Sequence, residues 1–175
     1  MAERAVDLDP IDHITIDAIG KPGQRTFYIQ AWCENRTFTF LIEKVQIQTL
    51  AIGYERFLTE ISERFPDLSE TESDYEEAKM HIHPPVDPYF RVGEMGLSYD
   101  GDRDRVILIV REVDLEVESK EETRIFRLWC TRAQLRAMCA WGLQVASRGR
   151  PICPYCGQPM EPEGHFCPKK NGRHR

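Results

Sequence analysis

The sequence predicts an α+β fold: antiparallel sheet in a βββα-βββα order, two main helices, and a small zinc-binding element at the C-terminus. Three observations predict it. Period-two runs recur in two groups, each group ends in a run of helical period, and the strands within a group are separated by turn signals rather than by crossover lengths. These predict the body; the C-terminal element is predicted by a closing stretch, "CPYCGQPMEPEGHFCP", whose spacing is that of a metal clip.

In the first group "HITIDAIG" reads as a short strand, and "KPG" follows as a turn. "RTFYIQAWC" alternates, with Phe27, Ile29, Ala31 and Cys33 on one face and Thr26, Tyr28, Gln30 and Trp32 on the other. After "ENR", the β-branched and aromatic "TFTFLI" makes a third strand. The period then changes. Ile47, Leu50, Ala51, Tyr54, Phe57, Leu58, Ile61 and Phe65 fall three or four apart and define one helix face, which Pro66 ends. Gly53 inside that helix costs about 1 kcal/mol relative to Ala, which points to close approach of another element.

Residues 66–87 are acidic and then Pro-rich, and read as a mobile connection with a solvated charge run. Within it "HIHPP" places His81 and His83 on one side of an extended stretch, but no third ligand lies near them in sequence, so metal binding is not expected there.

The second group opens with "YFRVGEMGLSYD" and "RVILIVREVDLEV", joined by the hairpin signal "DGDRD". "ETRIFRLWC" follows as a strand. Thr131 and Gln134 fit a capping box at the start of "TRAQLRAMCAWGLQVAS", with Ala133, Ala137, Met138, Trp141 and Val145 on its buried face and Gly149 as its C-terminal cap. The chain thus divides into a body, 1–149, and a tail, 150–175. Within the body 12–65 and 88–149 match in order. Gln46 with Gln134, Ile47 with Leu135 and Leu50 with Met138 align, a hint of internal duplication that similar packing needs could equally produce.

The six cysteines divide by setting. Cys33 and Cys130 lie in strand-like runs and Cys139 in a helical one, where a thiol acts as a small hydrophobe. Cys153 and Cys156 form a C-x2-C turn, with Gly157 relaxing the backbone after it. His165 and Cys167 are two apart, so they face the same way on an extended segment. Three thiolates and one imidazole make a closed tetrahedral set, the chemistry of structural zinc rather than of a catalytic ion with an open place for water. His174 is the rival fourth ligand; His165 is preferred because its shorter spacing orders less chain.

The net charge of −6 is uneven. Residues 148–175 hold six basic side chains against two acidic ones, so an acidic body carries a basic tail. So few charges bind phosphate weakly, and the acidic body disfavours nucleic acid as a partner. No apolar run approaches a membrane span, and the N-terminus lacks the basic start and apolar stretch of a secretory signal; the expected location is the cytoplasm.

"GRPICPYCGQPMEPEGHFCPKKNG", with "TRAQLRAM", "FRVGEMGLSYD", "GKPGQRTFYIQA" and "LIEKVQIQTLA", resembles the DUF3090 family over most of the chain outside the acidic connection. The resemblance places the family's GH-x-CP histidine at His165 and leaves His174 beyond the shared motif. It carries over no catalytic residue. It implies a bacterial protein that shares a pathway with a phosphomutase-like and a lipid-kinase-like protein, either of which is a candidate partner.

The expected function is a non-catalytic binding or adaptor module with a structural zinc, in which Lys169, Lys170 and Phe166 can meet a partner. One alternative is an enzyme or ligand-binding protein acting on a small phosphorylated molecule. Arg91, Glu94, Asp100, Glu43, Gln46 and Tyr28 offer groups for it but form no nucleophile–base–orienter set. Arg91 and Glu94 read first as a strand-surface charge pair, although an arginine on a Gly-flanked strand can clamp phosphate. The second alternative is nucleic-acid binding through the basic tail.

Overall fold

The computed structural model describes residues 3–114, 122–148, 153–157, 165–169 and 172–174; the side chains of residues 3, 165, 166 and 172–174 are not among those described. Seven strands form one sheet: β1 (Glu3–Leu8), β2 (His13–Ile19), β3 (Thr26–Cys33), β4 (Arg36–Ile42), β5 (Pro88–Asp100), β6 (Arg105–Glu112) and β7 (Thr123–Cys130). Helix α1 (Lys44–Arg64) follows β4 and α2 (Arg132–Ser147) follows β7.

The expected α+β class and both helices are present, but the sheet is mixed rather than antiparallel. Its order is β1-β7-β6-β5-β4-β3-β2, with β1 parallel to β7 and β4 parallel to β5. Within each group the strands are antiparallel hairpins. The parallel pairs join the groups. Alternation marks a strand but carries no direction, and the path from β4 to β5 through α1 is long enough for a crossover. β1 itself was not expected: "ERAVDL" is short, and its partner β7 lies about 120 residues away.

Only Asp9–Asp12 separate β1, at one edge of the sheet, from β2, at the other. Four residues span at most about 14 Å, so the edges must approach one another and the sheet curls into a nearly closed barrel. The seam is hydrogen-bonded: Ile11 N–H donates to the Trp129 carbonyl and Asp12 N–H to that of Trp32. Inside lie Ile14, Ile16, Ile29, Phe40, Leu108 and Leu128, all essentially without solvent contact. Asn35 and Glu34 turn β3 into β4 with positive φ, as a two-residue hairpin matching strand twist demands.

Both helices open on the same device. Gln134 N–H donates to Thr131 Oγ1 and Thr131 N–H to Gln134 Oε1, the expected capping box, while Glu43 N–H donates to Gln46 Oε1. The spare amide of each glutamine then reaches the sheet: Gln46 Nε2 donates to the Val92 carbonyl in β5, and Gln134 Nε2 to that of Ile11 in the connection between β1 and β2. On α1 the buried residues are Ile47, Leu50, Ala51, Tyr54, Leu58 and Ile61. On α2 they are Leu135, Met138, Cys139, Trp141, Gly142, Val145 and Ala146, so Ala133 and Ala137 lie at the margin of the face rather than in it. Gly142, not Gly53, is the close approach. A methyl at Gly142 would lie 3.0 Å from Ile16 and 3.1 Å from Ile47, whereas one at Gly53 would meet nothing within 4 Å. The expected cap Gly149 lies outside the described residues.

The connection does not run free through solvent. Met80 is buried, and its carbonyl accepts from Thr15 Oγ1 at 2.6 Å. His83 N–H donates to Gln30 Oε1 at 2.7 Å, and Ile82 N–H to Asp17 Oδ2 at 3.0 Å. Thr15, Gln30 and Thr39 are buried polar residues on the outer sheet face. Burying such groups requires partners; the strap supplies them to Thr15 and Gln30, and Thr39 Oγ1 accepts from Gln30 Nε2 at 3.1 Å. Its acidic residues Glu70, Glu72, Asp74 and Glu76 stay exposed, as a solvated charge run should.

Candidate metal centre

The tail builds its site from two short pieces. In the first, Gly157 N–H donates to the Cys153 carbonyl at 2.9 Å, closing a turn over residues 153–157. Gly157 sits at φ 75°, a left-handed conformation that favours glycine, so the chain can leave this turn tightly. The turn brings Cys153 and Cys156 together. The second piece is a two-stranded ladder, β8 (His165–Cys167) against β9 (Gly172–His174), which supplies Cys167.

The sulfurs of Cys153, Cys156 and Cys167 all lie within 4.8 Å of one another. Cys153 and Cys167 are buried, at 1% and 0% exposure, and Cys156 is half-buried. The Cys153 and Cys167 sulfurs are 3.8 Å apart. That is far beyond the roughly 2.05 Å of a disulfide, so no disulfide joins them. It is, however, the edge of a tetrahedron: two thiolates each about 2.3 Å from one ion at the tetrahedral angle stand about 3.8 Å apart. Three such donors in a buried cluster can hold a metal ion.

The two candidate histidines share a rung. His165 pairs with His174 across the β8–β9 ladder, so the backbone brings both close to Cys167. Sequence spacing treated them as near and far alternatives; the hairpin places them opposite each other. Their side chains lie outside the described residues.

The other candidate residues are scattered. Arg91 donates to a Glu43 carboxylate oxygen, and Glu94 faces Arg111 at 3.8 Å, so each has an ionic partner on the sheet surface. Lys169 is exposed; Lys170 lies outside the described residues, as do the side chains of Phe166 and Arg173. His81 Nδ1 meets Asp17 Oδ2 at 3.2 Å and its ring packs edge-on against Trp141. His83 packs against Trp32. Among the described residues neither histidine joins a metal-binding group. Cys33, Cys130 and Cys139 are buried free thiols, as their apolar settings predict. Burial pushes the Cys139 thiol up to about 12, and the Cys130 thiol higher still, so both stay protonated.

No helix of the described residues is long and apolar enough to cross a membrane. No curated protein and no solved structure matches the chain. The model of the family described as "Protein of unknown function (DUF3090)" matches residues 6–167, a span that takes in the Cys153, Cys156 and Cys167 cluster together with nearly the whole barrel, and the chain belongs to that family.

Proposed function

We propose that this chain is a binding module whose C-terminal tail is braced by one structural zinc ion, held by Cys153, Cys156, Cys167 and His165. The observation that carries the reading is the 3.8 Å separation of the buried Cys153 and Cys167 sulfurs, which matches the edge of a zinc–thiolate tetrahedron. Thiolate-rich sets favour zinc over the harder divalent ions, which prefer oxygen. His165 is supported as fourth ligand by its place in β8, two residues from Cys167. The matched family span ends at residue 167 and leaves His174 outside.

With four protein ligands the ion has no open place to activate water, so it organises chain rather than reacting. The tail has few apolar residues of its own, and a metal supplies the free energy that a core would otherwise provide. Arg91 pairs with Glu43 on the exposed surface, which supports reading it as one of a surface charge pair rather than as a phosphate clamp. The phosphomutase-like and lipid-kinase-like proteins implied by the family resemblance are the first partners to try.

The test is metal content with a spectroscopic readout. The purified full chain should contain one zinc per molecule by elemental analysis. Cobalt substitution should give the intense visible bands of a tetrahedral ion with charge transfer from three thiolates. Protein without stoichiometric zinc, or a cobalt spectrum of octahedral oxygen ligation, would overturn the assignment.

A further inference from the structure

Closing the barrel leaves a cavity of about 460 Å³ beside the seam, within the size range of small-molecule sites. Part of its lining is aromatic. Phe38 and Tyr89 stack with ring centres 5.5 Å apart, and Phe126 meets Tyr89 edge-on at 5.4 Å. The rest is basic, with Arg4, Arg36 and Arg124 contributed by three different strands.

The acids at this cavity are largely spoken for. Asp7 is gripped by Arg127 through two hydrogen bonds of 2.8 and 2.7 Å, and Asp9 by Arg103 through two of 2.8 and 2.9 Å. Arg124 in turn holds Glu112. Arg4 and Arg36 have no carboxylate partner among the described residues, and the Arg36 guanidinium lies 5.1 Å from the centre of the Phe38 ring. Exposed Glu34 is the one lining acid without such a pair among the described residues. A pocket with an aromatic wall and two uncommitted guanidinium forks is matched by a flat apolar group ending in a carboxylate or phosphate.

We infer that this cavity binds a small organic anion, its charged group between Arg4 and Arg36 and its flat apolar body against Phe38, Tyr89 and Phe126. Cys33 also lines it and is buried at 6% exposure. Burial, with the charges of Glu34, Asp12 and Asp9, raises its thiol above the ordinary value, so at neutral pH it contributes a neutral wall and no nucleophile. The site is a binding site, on the body of the protein, and does not use the metal cluster.

The test titrates the isotope-labelled, zinc-loaded full chain with phenyl phosphate, benzoate and inorganic phosphate, following backbone amide resonances. Phenyl phosphate or benzoate should give saturable shifts at residues 4–9, 33–38 and 124, with a Kd on the order of 1 mM for so small a probe. Inorganic phosphate should bind more weakly, since it leaves the aromatic wall unused. Tighter binding of phenyl phosphate than benzoate assigns a phosphoryl ligand, and the reverse order a carboxylate. The double variant Arg4→Glu/Arg36→Glu reverses two exposed charges and should weaken binding by about tenfold or more; if it does not give a native spectrum, Arg36→Gln is read the same way. Absence of saturable shifts with both aromatic anions, shifts centred elsewhere, or unchanged binding by the variants would overturn the site. Metal content is measured on each sample, so a failure of the zinc site is told apart from a failure of this one.

Discussion

Cys153 and Cys167 are separated by thirteen intervening residues, yet their sulfurs stand 3.8 Å apart, so each depends on the other's segment being in place. Cys167→Ser should therefore abolish stoichiometric zinc as fully as Cys156→Ser, while Cys139→Ser, inside helix α2, should leave metal content unchanged; elemental analysis of the three variants checks this. The histidine choice is sharper than spacing alone makes it, because His165 and His174 are rung partners. His165→Ala should weaken zinc by at least the roughly tenfold that loss of even an outer-shell partner costs. His174→Ala should retain it, and competition with a chromophoric chelator would read both. A second residue tests how β1 is held. Arg127 and the Trp129 indole hold Asp7 down at about 2, below its ordinary 3.8. Its contribution to stability is thus complete above about pH 4 and lost as pH falls from there toward 2. The Asp7–Arg127 pair is about two-fifths exposed, so the effect at neutral pH is under about 1 kcal/mol. Asp7→Asn should remove that increment and flatten the stability curve over this acid window, as measured by urea unfolding at several pH values.

At the scale of elements, two helix glycines make opposite predictions. Gly142→Ala pushes a methyl to about 3 Å from Ile16 of β2 and Ile47 of α1, and should cost about 1–3 kcal/mol. Gly53→Ala meets open space and should stabilise by up to about 1 kcal/mol through helix propensity alone. Denaturant midpoints of the two variants would check the pair, and equal effects would contradict the packing described here. These two positions also show where sequence reasoning runs out. Helical period locates both helices and the apolar face of α1 from Ile47 to Ile61, since a 3.6-residue repeat is a local property. Which glycine touches the sheet depends on rotation and docking, which no local repeat encodes. The same holds for Ala133 and Ala137, apolar but marginal, against Leu135 and Cys139, which are buried. Gln46 and Gln134 share a structural role: each caps its helix, and the remaining amide of Gln46 holds β5 while that of Gln134 holds the connection between β1 and β2.

The whole molecule is a barrel closed by long-range pairings, with a metal clip appended. The clip's thiols were legible because a C-x2-C turn and a Cys two positions from a His state their chemistry within a few residues. The two parallel pairings were not, since β4 meets β5 across a whole helix and its connection, and β1 meets β7 about 120 residues away. The fastening of the acidic strap was not legible for a related reason: its charges signal solvent, while the carbonyl of Met80 and the amide of His83, which tie it to the sheet, leave no mark in composition. This division of labour sets the last prediction. The barrel core runs continuously from Leu8 to Ala146 and does not include Cys153 or Cys167. Metal binding to the tail should therefore be thermodynamically separate from folding of the body. On chelation, amide exchange should accelerate at Cys153–Gly157 and His165–Cys167, while Ile29, Leu50 and Leu108, buried in strands and helix, keep their protection. Thermal unfolding of the body should shift little between zinc-loaded and chelated protein. If chelation instead released protection at Leu108 together with Cys167, the ion would be a part of the core, and the body could not stand as an independent fold.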